Sequence, residues 1–159
     1  MSVADRAVAT QYLTFKLGEE VYALDIAKVR EVLDFTSVTK VPRTPEFMRG
    51  VINLRGSVVP VVDLRLKFGI SKTDKTINTC IIIMEVRVDK ETTILGALAD
   101  SVQEVVDLDP DNIEPAPRIG TKLKTEFITG MGKQNEKFII ILDIDKIFST
   151  EELAVVQEG

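Results

Sequence analysis

Arg55 is the residue in this sequence whose type and position best suit the recognition of a partner. It begins the segment Arg55-Gly56-Ser57, which lies between the apolar runs 51–54 and 58–62. Gly56 allows a positive φ, so the pattern predicts two strands joined by a tight turn with Arg55 at its tip. A guanidinium carries its N–H donors in a rigid fork that matches a carboxylate. The hairpin therefore indicates binding through charge-assisted hydrogen bonds, and the alternative is a solvated turn residue.

The usual parts of several catalytic sites are missing from the sequence. It contains no histidine, which excludes Ser-His and Cys-His pairs, histidine metal ligands and a phospho-accepting histidine. It also has neither the Gly-Lys-Ser/Thr ending of a phosphate-binding loop nor a Gly-x-Gly-x-x-Gly motif. We expect no catalysis, no cofactor and no metal site, although an enzyme that uses only carboxylates and lysines stays open as an alternative.

Two aspartates are candidates for phospho-acceptors or metal ligands. Asp63 and Asp143 each follow an apolar run and precede a short segment with helical character. A carboxylate at that position commonly caps the following turn, and this favours a structural role for both. Asp145 adds a second carboxylate near Asp143, but the loop lacks the further ligands and the glycine of a calcium site. The single cysteine, Cys80, lies in an apolar run and is expected to be a small core residue.

The composition is that of a soluble globular domain. The chain has 159 residues, of which 45% are hydrophobic and 28% charged, and its net charge is −5. An acidic balance argues against sequence-independent binding of nucleic acid, which needs a basic surface. No apolar run reaches the length of a membrane-spanning helix, and residues 1–10 have the character of a flexible tail without a signal peptide. We therefore expect a cytoplasmic protein.

Short apolar segments separated by turn-forming residues predict a protein built from strands. Such regular short spacing favours small β-barrels over a parallel α/β sheet. The segment Ser149-x-x-Glu152 has the pattern of a capping box and predicts a C-terminal helix that extends through residue 157.

The chain also repeats itself. A shift of 73 superimposes one set of residues and a shift of 80 superimposes a later set. The first set is Ala23, Val29, Glu31, Val32, Asp34 and Pro42, which fall on Gly96, Val102, Glu104, Val105, Asp107 and Pro115. The second set is Gly50, Asp63 and Phe68, which fall on Gly130, Asp143 and Phe148. The repeat predicts two copies of one small barrel. Because Asn135 occupies the position of Arg55 in the second copy, the arginine hairpin belongs to the first copy alone.

Residues 50–65, which read Gly-Val-Ile-Asn-Leu-Arg-Gly-Ser-Val-Val-Pro-Val-Val-Asp-Leu-Arg, resemble the signature of the CheW family of bacterial chemotaxis coupling proteins. The opening Phe15-x-Leu17-Gly18-x-Glu20-x-Tyr22 is similar to that family as well, and so are segments 113–117 and 127–132. The resemblance covers residues 11–153, which is nearly the whole chain.

This resemblance implies an all-β fold of two intertwined, SH3-like, five-stranded β-barrel subdomains with short helices. The expected CheW-like domain spans 11–150. Its first subdomain covers approximately 11–68, with the C-terminal helix 150–157 docked on it, and its second covers approximately 76–148.

The resemblance further implies a non-catalytic adaptor. Such a protein couples methyl-accepting chemoreceptors, at their cytoplasmic tip, to the regulatory domain of the histidine kinase CheA. It is cytoplasmic and is recruited to membrane-associated receptor arrays. We expect neither nucleic-acid binding nor membrane insertion.

The family also implies roles for particular residues. Arg55 and Glu31 match residues of a receptor-facing surface where the two charges can pair; for Glu31 the alternative is an ordinary surface charge. Apolar residues that could line a receptor groove between the barrels are Ile26, Val29, Leu98 and Val102, although core packing is the simpler explanation for each. The residues expected to meet the kinase are Val41, Pro42 and Ile119. Gly50 and Gly56 are expected to serve the backbone, at a bulge or a turn.

Two other functions remain open. The chain could serve as the same adaptor in a chemosensory pathway that does not control flagella, because the adaptor surface does not reveal the output. More remotely, an SH3-like or OB-like barrel could bind nucleic acid. That function needs a basic face with aromatic residues for stacking, whereas this sequence has seven Phe, two Tyr and no Trp.

Overall fold

The structure, a computed structural model, describes residues 10–115, 125–149 and 152. Its strands are β1 (Thr10–Leu17), β2 (Glu20–Asp25), β3 (Val29–Asp34), β4 (Met48–Leu54), β5 (Ser57–Asp63), β6 (Cys80–Val88), β7 (Glu91–Ala99), β8 (Ser101–Leu108), β9 (Ile113–Glu114), β10 (Ile128–Gln134) and β11 (Lys137–Leu142). The α-helix α1 covers Leu64–Lys67, and 3₁₀ turns cover Ile26–Lys28, Pro110–Asn112, Thr125–Phe127 and Ile144–Lys146. The expected tail lies outside the described residues, apart from Thr10.

The strands form two mixed sheets, which confirms the all-β prediction. A six-stranded sheet has the order β8-β1-β2-β11-β10-β9, and a five-stranded sheet has the order β3-β6-β7-β5-β4. The sixth strand of the larger sheet, β9, is only two residues long. Most neighbours are antiparallel, whereas β2 and β11, and likewise β5 and β7, run parallel. None of the helices in the described part of the chain has the length and apolar character needed to cross a membrane.

Each half of the chain contributes a hairpin to the sheet of the other half. The β1–β2 hairpin pairs with β8 and β11, while the β6–β7 hairpin pairs with β3 and β5. The two units are therefore intertwined, as expected. Because of this exchange, sheet membership does not follow the contiguous boundaries 11–68 and 76–148.

Strand register confirms the internal repeat. Ala23 pairs with Ile141 in the parallel ladder of the six-stranded sheet, and Gly96 pairs with Val61 in the parallel ladder of the five-stranded sheet. Gly96 is Ala23 shifted by 73, and Ile141 is Val61 shifted by 80. The two sheets thus repeat the same pairing. The offset is 73 for the strand that contains Ala23 or Gly96, and 80 for the strand that contains Val61 or Ile141.

The apolar core has three parts. The largest is a central cluster that both sheets line, and it holds a row of neighbouring rings formed by Phe15, Tyr22, Phe68 and Phe127. Two smaller clusters lie apart from it, one among residues of the five-stranded sheet and one among residues of the six-stranded sheet. Burial of this apolar surface drives the association of the sheets. Burial also raises the pKa of Tyr22.

The two aspartates that follow the hairpins behave differently. The side chain of Asp63 caps α1 by accepting a hydrogen bond from the backbone N–H of Arg65 at 3.1 Å, as predicted. Asp143 occupies the corresponding N-cap position, but its side chain makes no capping hydrogen bond. The prediction was wrong for Asp143, whose carboxylate instead lies 3.8 Å from Nζ of Lys146.

The capping box at the C-terminal end is confirmed. The backbone N–H of Glu152 donates to Oγ of Ser149 at 3.1 Å, and the backbone N–H of Ser149 donates to Oε1 of Glu152 at 2.8 Å. Glu152 is helical and also pairs with Lys67 of α1 at 2.6 Å. The remainder of the expected helix 150–157 lies outside the described residues, so its docking on the first subdomain stays a prediction.

Candidate partner-binding groove

The tip of the β4–β5 hairpin presents Arg55 in the manner expected from the sequence. Arg55 and Gly56 form the two-residue connection, with φ of 50° and 89°. Two positive φ values match the right-handed twist of the flanking strands. The backbone N–H of Gly56 donates to Oδ1 of Asn53 at 2.8 Å. A Cβ at Gly56 would meet no described atom within 4 Å, so glycine is used there for its φ and not for space.

Gly50 serves the backbone for a different reason. Its φ is 140°, and a Cβ would overlap the backbone carbonyl of Thr39. Thr39 forms an isolated bridge with Val51, with N–H···O distances of 2.9 and 2.8 Å. The β4–β5 register shifts between Met48 and Gly50. Gly50 therefore permits a bulge and a close approach of the preceding loop, which confirms its structural role.

Arg55 and Glu31 form an ion pair between Nη2 and Oε2. Glu31 lies on β3 and Arg55 follows β4, and these two strands are the opposite ends of the five-stranded order. The Arg55 side chain is 70% exposed and that of Glu31 is 31% exposed. An ion pair this exposed contributes only about 0–1 kcal/mol to stability. The guanidinium of Arg55 also has further N–H donors besides the one in this pair.

The pair borders a groove of about 860 Å³. Its lining combines charged, hydroxyl and apolar groups, and comprises Arg30, Glu31, Val41, Val51, Leu54, Arg55, Ser57, Val58, Val59, Pro60, Ile83, Thr92, Thr93 and Ile94. Val58 is 72% exposed, which is unusual for a strand valine in this protein. Apolar contact beside a charged pair suits a protein partner, since apolar area supplies affinity and charge supplies orientation.

Three of the apolar residues predicted to line a receptor groove between the barrels do not line the groove beside Arg55, and their role stays a prediction. Ile26, Val29 and Val102 are half-buried and pack against the central cluster. Their positions follow from their neighbours, since Val29 pairs with Met84 and Val102 pairs with Phe15. The structure therefore brings Arg55 and Glu31 together but places these three apolar residues along the packing between the sheets.

Leu98 requires a correction. It is 1% exposed and belongs to the small cluster of the five-stranded sheet, with Val61 and Ile81 among its members. Its strand, β7, lies in the interior of that sheet, and its side chain packs into this cluster. Leu98 therefore offers no surface to a partner in this conformation.

Two of the residues predicted to meet the kinase lie in the loop between β3 and β4. Val41 is half-buried and lines the same groove as Arg55, while Pro42 is exposed. The hydroxyl of Thr44 donates to the carbonyl of Val41 at 2.9 Å and holds this turn. Ile119 lies outside the described residues. The expected receptor and kinase surfaces are thus adjacent at Val41, and their assignment to partners remains a prediction.

Sequence reasoning missed several groove residues, of which Val58 is the clearest. Alternate residues of a strand point to opposite faces, so Val58 shares a face of β5 with Val62. Val62 is buried in the central cluster, whereas Val58 is exposed because it lies beside the hairpin turn. The position of Val58 beside the turn was visible in the sequence. By contrast, Ile94 comes from β7, and its place beside Arg55 depends on the hairpin exchange, which local sequence does not reveal.

Comparison with known proteins agrees with the fold. The family model of the CheW-like domain matches residues 11–152. The chain is 38% identical to chemotaxis protein CheW of Klebsiella aerogenes over 154 residues, which covers 97% of this chain and 90% of the relative. It is 32% identical to chemotaxis protein CheW of Thermotoga maritima, with 99% of this chain and 98% of the relative covered.

A solved structure gives the same result. The crystal structure of the scaffolding protein TtCheW from Thermoanaerobacter tengcongensis superimposes with a TM-score of 0.80 at 38% sequence identity, and 96% of each chain is covered. The β-strand architecture, the internal repeat and the Arg55 hairpin are thus found in a chain that matches this family over nearly its whole length. This protein belongs to the family of CheW-like domain proteins.

Proposed function

We propose that this protein is a non-catalytic adaptor that couples methyl-accepting chemoreceptors to the histidine kinase CheA in signalling arrays. The observation that carries the proposal is the family match over residues 11–152. The matched structure is itself described as a scaffolding protein. The proposed partners are the regulatory domain of CheA and the cytoplasmic tip of the receptors. The proposed location is the cytoplasm, at membrane-associated arrays.

The Arg55–Glu31 pair supports a receptor-facing role for the groove. Glu31 neutralises part of the guanidinium charge and limits the directions in which it points, so an incoming partner meets a donor fork of fixed orientation. The exposed side chain of Val58 provides apolar area within the same groove. A helical receptor segment with an apolar stripe and a carboxylate would satisfy both features.

Val41 and Pro42 support a kinase-facing role for the neighbouring loop. Pro42 is exposed and Arg43, which follows it, has a φ of 62°. The hydrogen bond from the Thr44 hydroxyl to the Val41 carbonyl restrains this exposed turn, which reduces the conformational entropy that it would lose on binding. The proposed kinase surface thus borders the proposed receptor surface, and one adaptor molecule can hold both partners side by side.

The proposal is tested by isothermal titration calorimetry of the full chain with two ligands, the isolated CheA regulatory domain and a receptor-tip fragment from the same genome. We expect saturable binding to each, and binding of the second partner to the complex with the first. Absence of binding to the kinase domain would contradict the coupling role. Binding only to the kinase and receptor of a second chemosensory system in that genome would assign the adaptor to a pathway with another output.

A further inference from the structure

Two charged clusters lie where the chain passes from one sheet to the other. We call them the first and second clasp. The first clasp consists of Arg65, Asp100 and the backbone N–H of Gly18. Oδ2 of Asp100 accepts hydrogen bonds from Nη1 of Arg65 at 2.7 Å and from Gly18 N at 2.5 Å. Asp100 is the residue between β7 of the five-stranded sheet and β8 of the six-stranded sheet.

The second clasp consists of Lys28, Asp145 and the backbone N–H of Arg87. Oδ2 of Asp145 accepts from Nζ of Lys28 at 2.6 Å, and Oδ1 accepts from Arg87 N at 2.7 Å. Lys28 lies between β2 of the six-stranded sheet and β3 of the five-stranded sheet. The first clasp therefore joins the β7–β8 crossover, the helix α1 that follows β5, and the turn of the β1–β2 hairpin. The second clasp joins the β2–β3 crossover, the 3₁₀ turn that follows β11, and strand β6 of the β6–β7 hairpin.

The internal repeat relates the two clasps, but their charges are reversed. A shift of 80 places Arg65 on Asp145, so the short turn carries a cation in one copy and an anion in the other. A shift of 73 places Asp100 on Ala27, which is adjacent to Lys28. The crossover between the sheets therefore carries an anion, Asp100, in one copy and a cation, Lys28, in the other. Arg65 and Asp100 are largely buried, and Lys28 and Asp145 are about two-thirds buried.

This reversal matters because two copies of one backbone unit have an alternative way to pair their strands. In the observed structure β5 pairs with β7, and Arg65 meets the crossover that follows β7. If each copy kept its own hairpin, β5 would instead pair with β2, and Arg65 would meet Lys28 at the crossover that follows β2. In the same arrangement Asp145 would meet Asp100. Both contacts would then join like charges in a partly desolvated site, which is costly.

We propose that the two clasps select the exchanged pairing of the hairpins and hold the two sheets in their observed orientation. The polarity of each clasp favours the partner from the other copy and disfavours the partner from its own copy. The orientation of the sheets in turn sets where the groove beside Arg55 lies relative to the surface of the six-stranded sheet. The proposal concerns the folding specificity of this chain and does not depend on the identity of its partners.

A charge-conserving double substitution tests the polarity. Arg65→Asp with Asp145→Arg keeps the composition and net charge but creates like-charge contacts in the observed pairing and favourable contacts in the self-closed pairing. The comparison variant, Arg65→Gln with Asp145→Asn, removes both charges without reversing them. If only lost contacts mattered, the two variants would be equally stable. We expect the equilibrium constant for unfolding to be about tenfold higher in the reversed variant than in the neutral one.

A rescue variant and a readout of strand pairing complete the test. Adding Asp100→Lys and Lys28→Asp to the reversed variant restores opposite charges in both clasps, and we expect part of the stability to return. Recovery is partial because a lysine cannot accept the N–H of Gly18. Nuclear Overhauser contacts between β5 and β7 report the exchanged pairing, and contacts between β5 and β2 report the self-closed one. Loss of the β5–β7 contacts in the reversed variant, with return in the rescue variant, is the expected result.

The ion pair Arg30–Glu85 provides a control, because it joins β3 and β6 at 2.5 Å across the same exchanged pairing, and exchanging its two residues moves both charges but leaves opposite charges in contact. Arg30→Glu with Glu85→Arg is expected to change neither stability nor strand pairing. A reversed variant as stable as the neutral one would overturn the proposal. So would a rescue variant that folds no better than the reversed variant, including the case in which neither folds.

Discussion

The β4–β5 hairpin with α1 and the β10–β11 hairpin with its 3₁₀ turn are the same backbone unit in two copies. Both hairpins connect through two residues, and Arg55 and Asn135 each have a φ of 50° at the first position. Both first strands carry a glycine at a register shift, Gly50 in one and Gly130 in the other. The features that the two copies share, a two-residue turn with positive φ and a glycine at the register shift, are the ones that the backbone of this hairpin requires.

The side chains of the two units differ where polar groups are concerned. The carboxylate of Asp63 is 0% exposed and accepts hydrogen bonds from Arg49, from Arg65 N, and from both the N–H and the hydroxyl of Thr73. The side chain of Asp143 is 32% exposed and lies near Lys146 alone among the partners that the structure describes for it. The two copies therefore share their backbone, whereas the first copy has a buried polar network around Asp63, at the end of the hairpin opposite the Arg55 turn.

The largest effect is expected from removing the charge at the centre of that network. Asp63→Asn leaves Arg49 beside a neutral amide and replaces an acceptor oxygen with an N–H₂ that faces other donors. Breaking a buried ion pair from one side costs about 3–5 kcal/mol. Asp143→Asn, the matched change in the second copy, is expected to cost less than about 0.5 kcal/mol. Urea unfolding of both variants measures their free energies of unfolding. Equal losses would show that the carboxylates of Asp63 and Asp143 contribute equally to stability.

The glycine pair tests the shared backbone. Gly50→Ala places a Cβ against the carbonyl of Thr39, and Gly130→Ala places one 2.5 Å from Cγ2 of Ile113 and 2.9 Å from the carbonyl oxygen of Glu114. Each should lose about 1–3 kcal/mol of unfolding free energy through overpacking.

Gly56→Ala is the control for these two substitutions, because a Cβ there meets open space and only the positive φ of Gly56 opposes it. Its expected cost is about 1 kcal/mol. Thermal unfolding of the three variants ranks them, and a Gly56→Ala loss larger than that of Gly50→Ala would contradict the close-approach explanation.

The described contacts join the C-terminal segment to the first copy through Lys67 and Glu152. Burial raises the pKa of Glu152, but hydrogen bonds from Lys67 and Ser149 outweigh it and leave that pKa below its ordinary value. Because the folded-state pKa is the lower one, the pair stabilises the protein fully above the unfolded pKa, and this contribution is lost as pH falls through the folded value.

Glu152→Gln measures that contribution. We expect the variant to be less stable than the original chain by about 1 kcal/mol at neutral pH. The difference should narrow as the pH falls below the ordinary pKa of a glutamate and close once Glu152 is protonated in both states. Guanidinium unfolding at a series of pH values follows it. If the stability difference between Glu152→Gln and the original chain did not change with pH, the Lys67–Glu152 ion pair would not be its cause.

The smallest stability effect is expected at the hairpin tips. Asparagine tolerates a positive φ better than arginine does, whereas Arg55 gains an exposed ion pair with Glu31 worth about 0–1 kcal/mol. Arg55→Asn should therefore change the free energy of unfolding by less than about 1 kcal/mol, and Asn135→Arg should be slightly destabilising. A large loss at Arg55 would mean that the ion pair is structural, not a feature of binding.

Much of this architecture could be predicted from sequence. The alternation and turn residues predict the β4–β5 hairpin, and the offsets of 73 and 80 predict two equivalent units with the register now seen at Ala23 and Gly96. The hairpin exchange itself was expected only from the family resemblance, because strand pairing between distant segments is not encoded in local patterns.

The candidate site was predicted less completely. Arg55 and Glu31 could be identified from the family signature, whereas the burial of Leu98 depends on its place in the interior of the five-stranded sheet. The network around Asp63 could not be foreseen, because Thr73 lies in a polar loop with no periodicity to place it. The unequal roles of Asp63 and Asp143 arise from tertiary contacts that the same local sequence pattern does not specify.

We propose that the arginine hairpin of the first copy, and not its counterpart in the second, faces the receptor. The most direct measurement is calorimetric titration of Arg55→Asp and Asn135→Asp, each against the receptor-tip fragment and the CheA regulatory domain. We expect Arg55→Asp to lose receptor binding and keep kinase binding, and Asn135→Asp to keep both. Unchanged receptor binding by Arg55→Asp, or an equal loss in the two variants, would contradict the account.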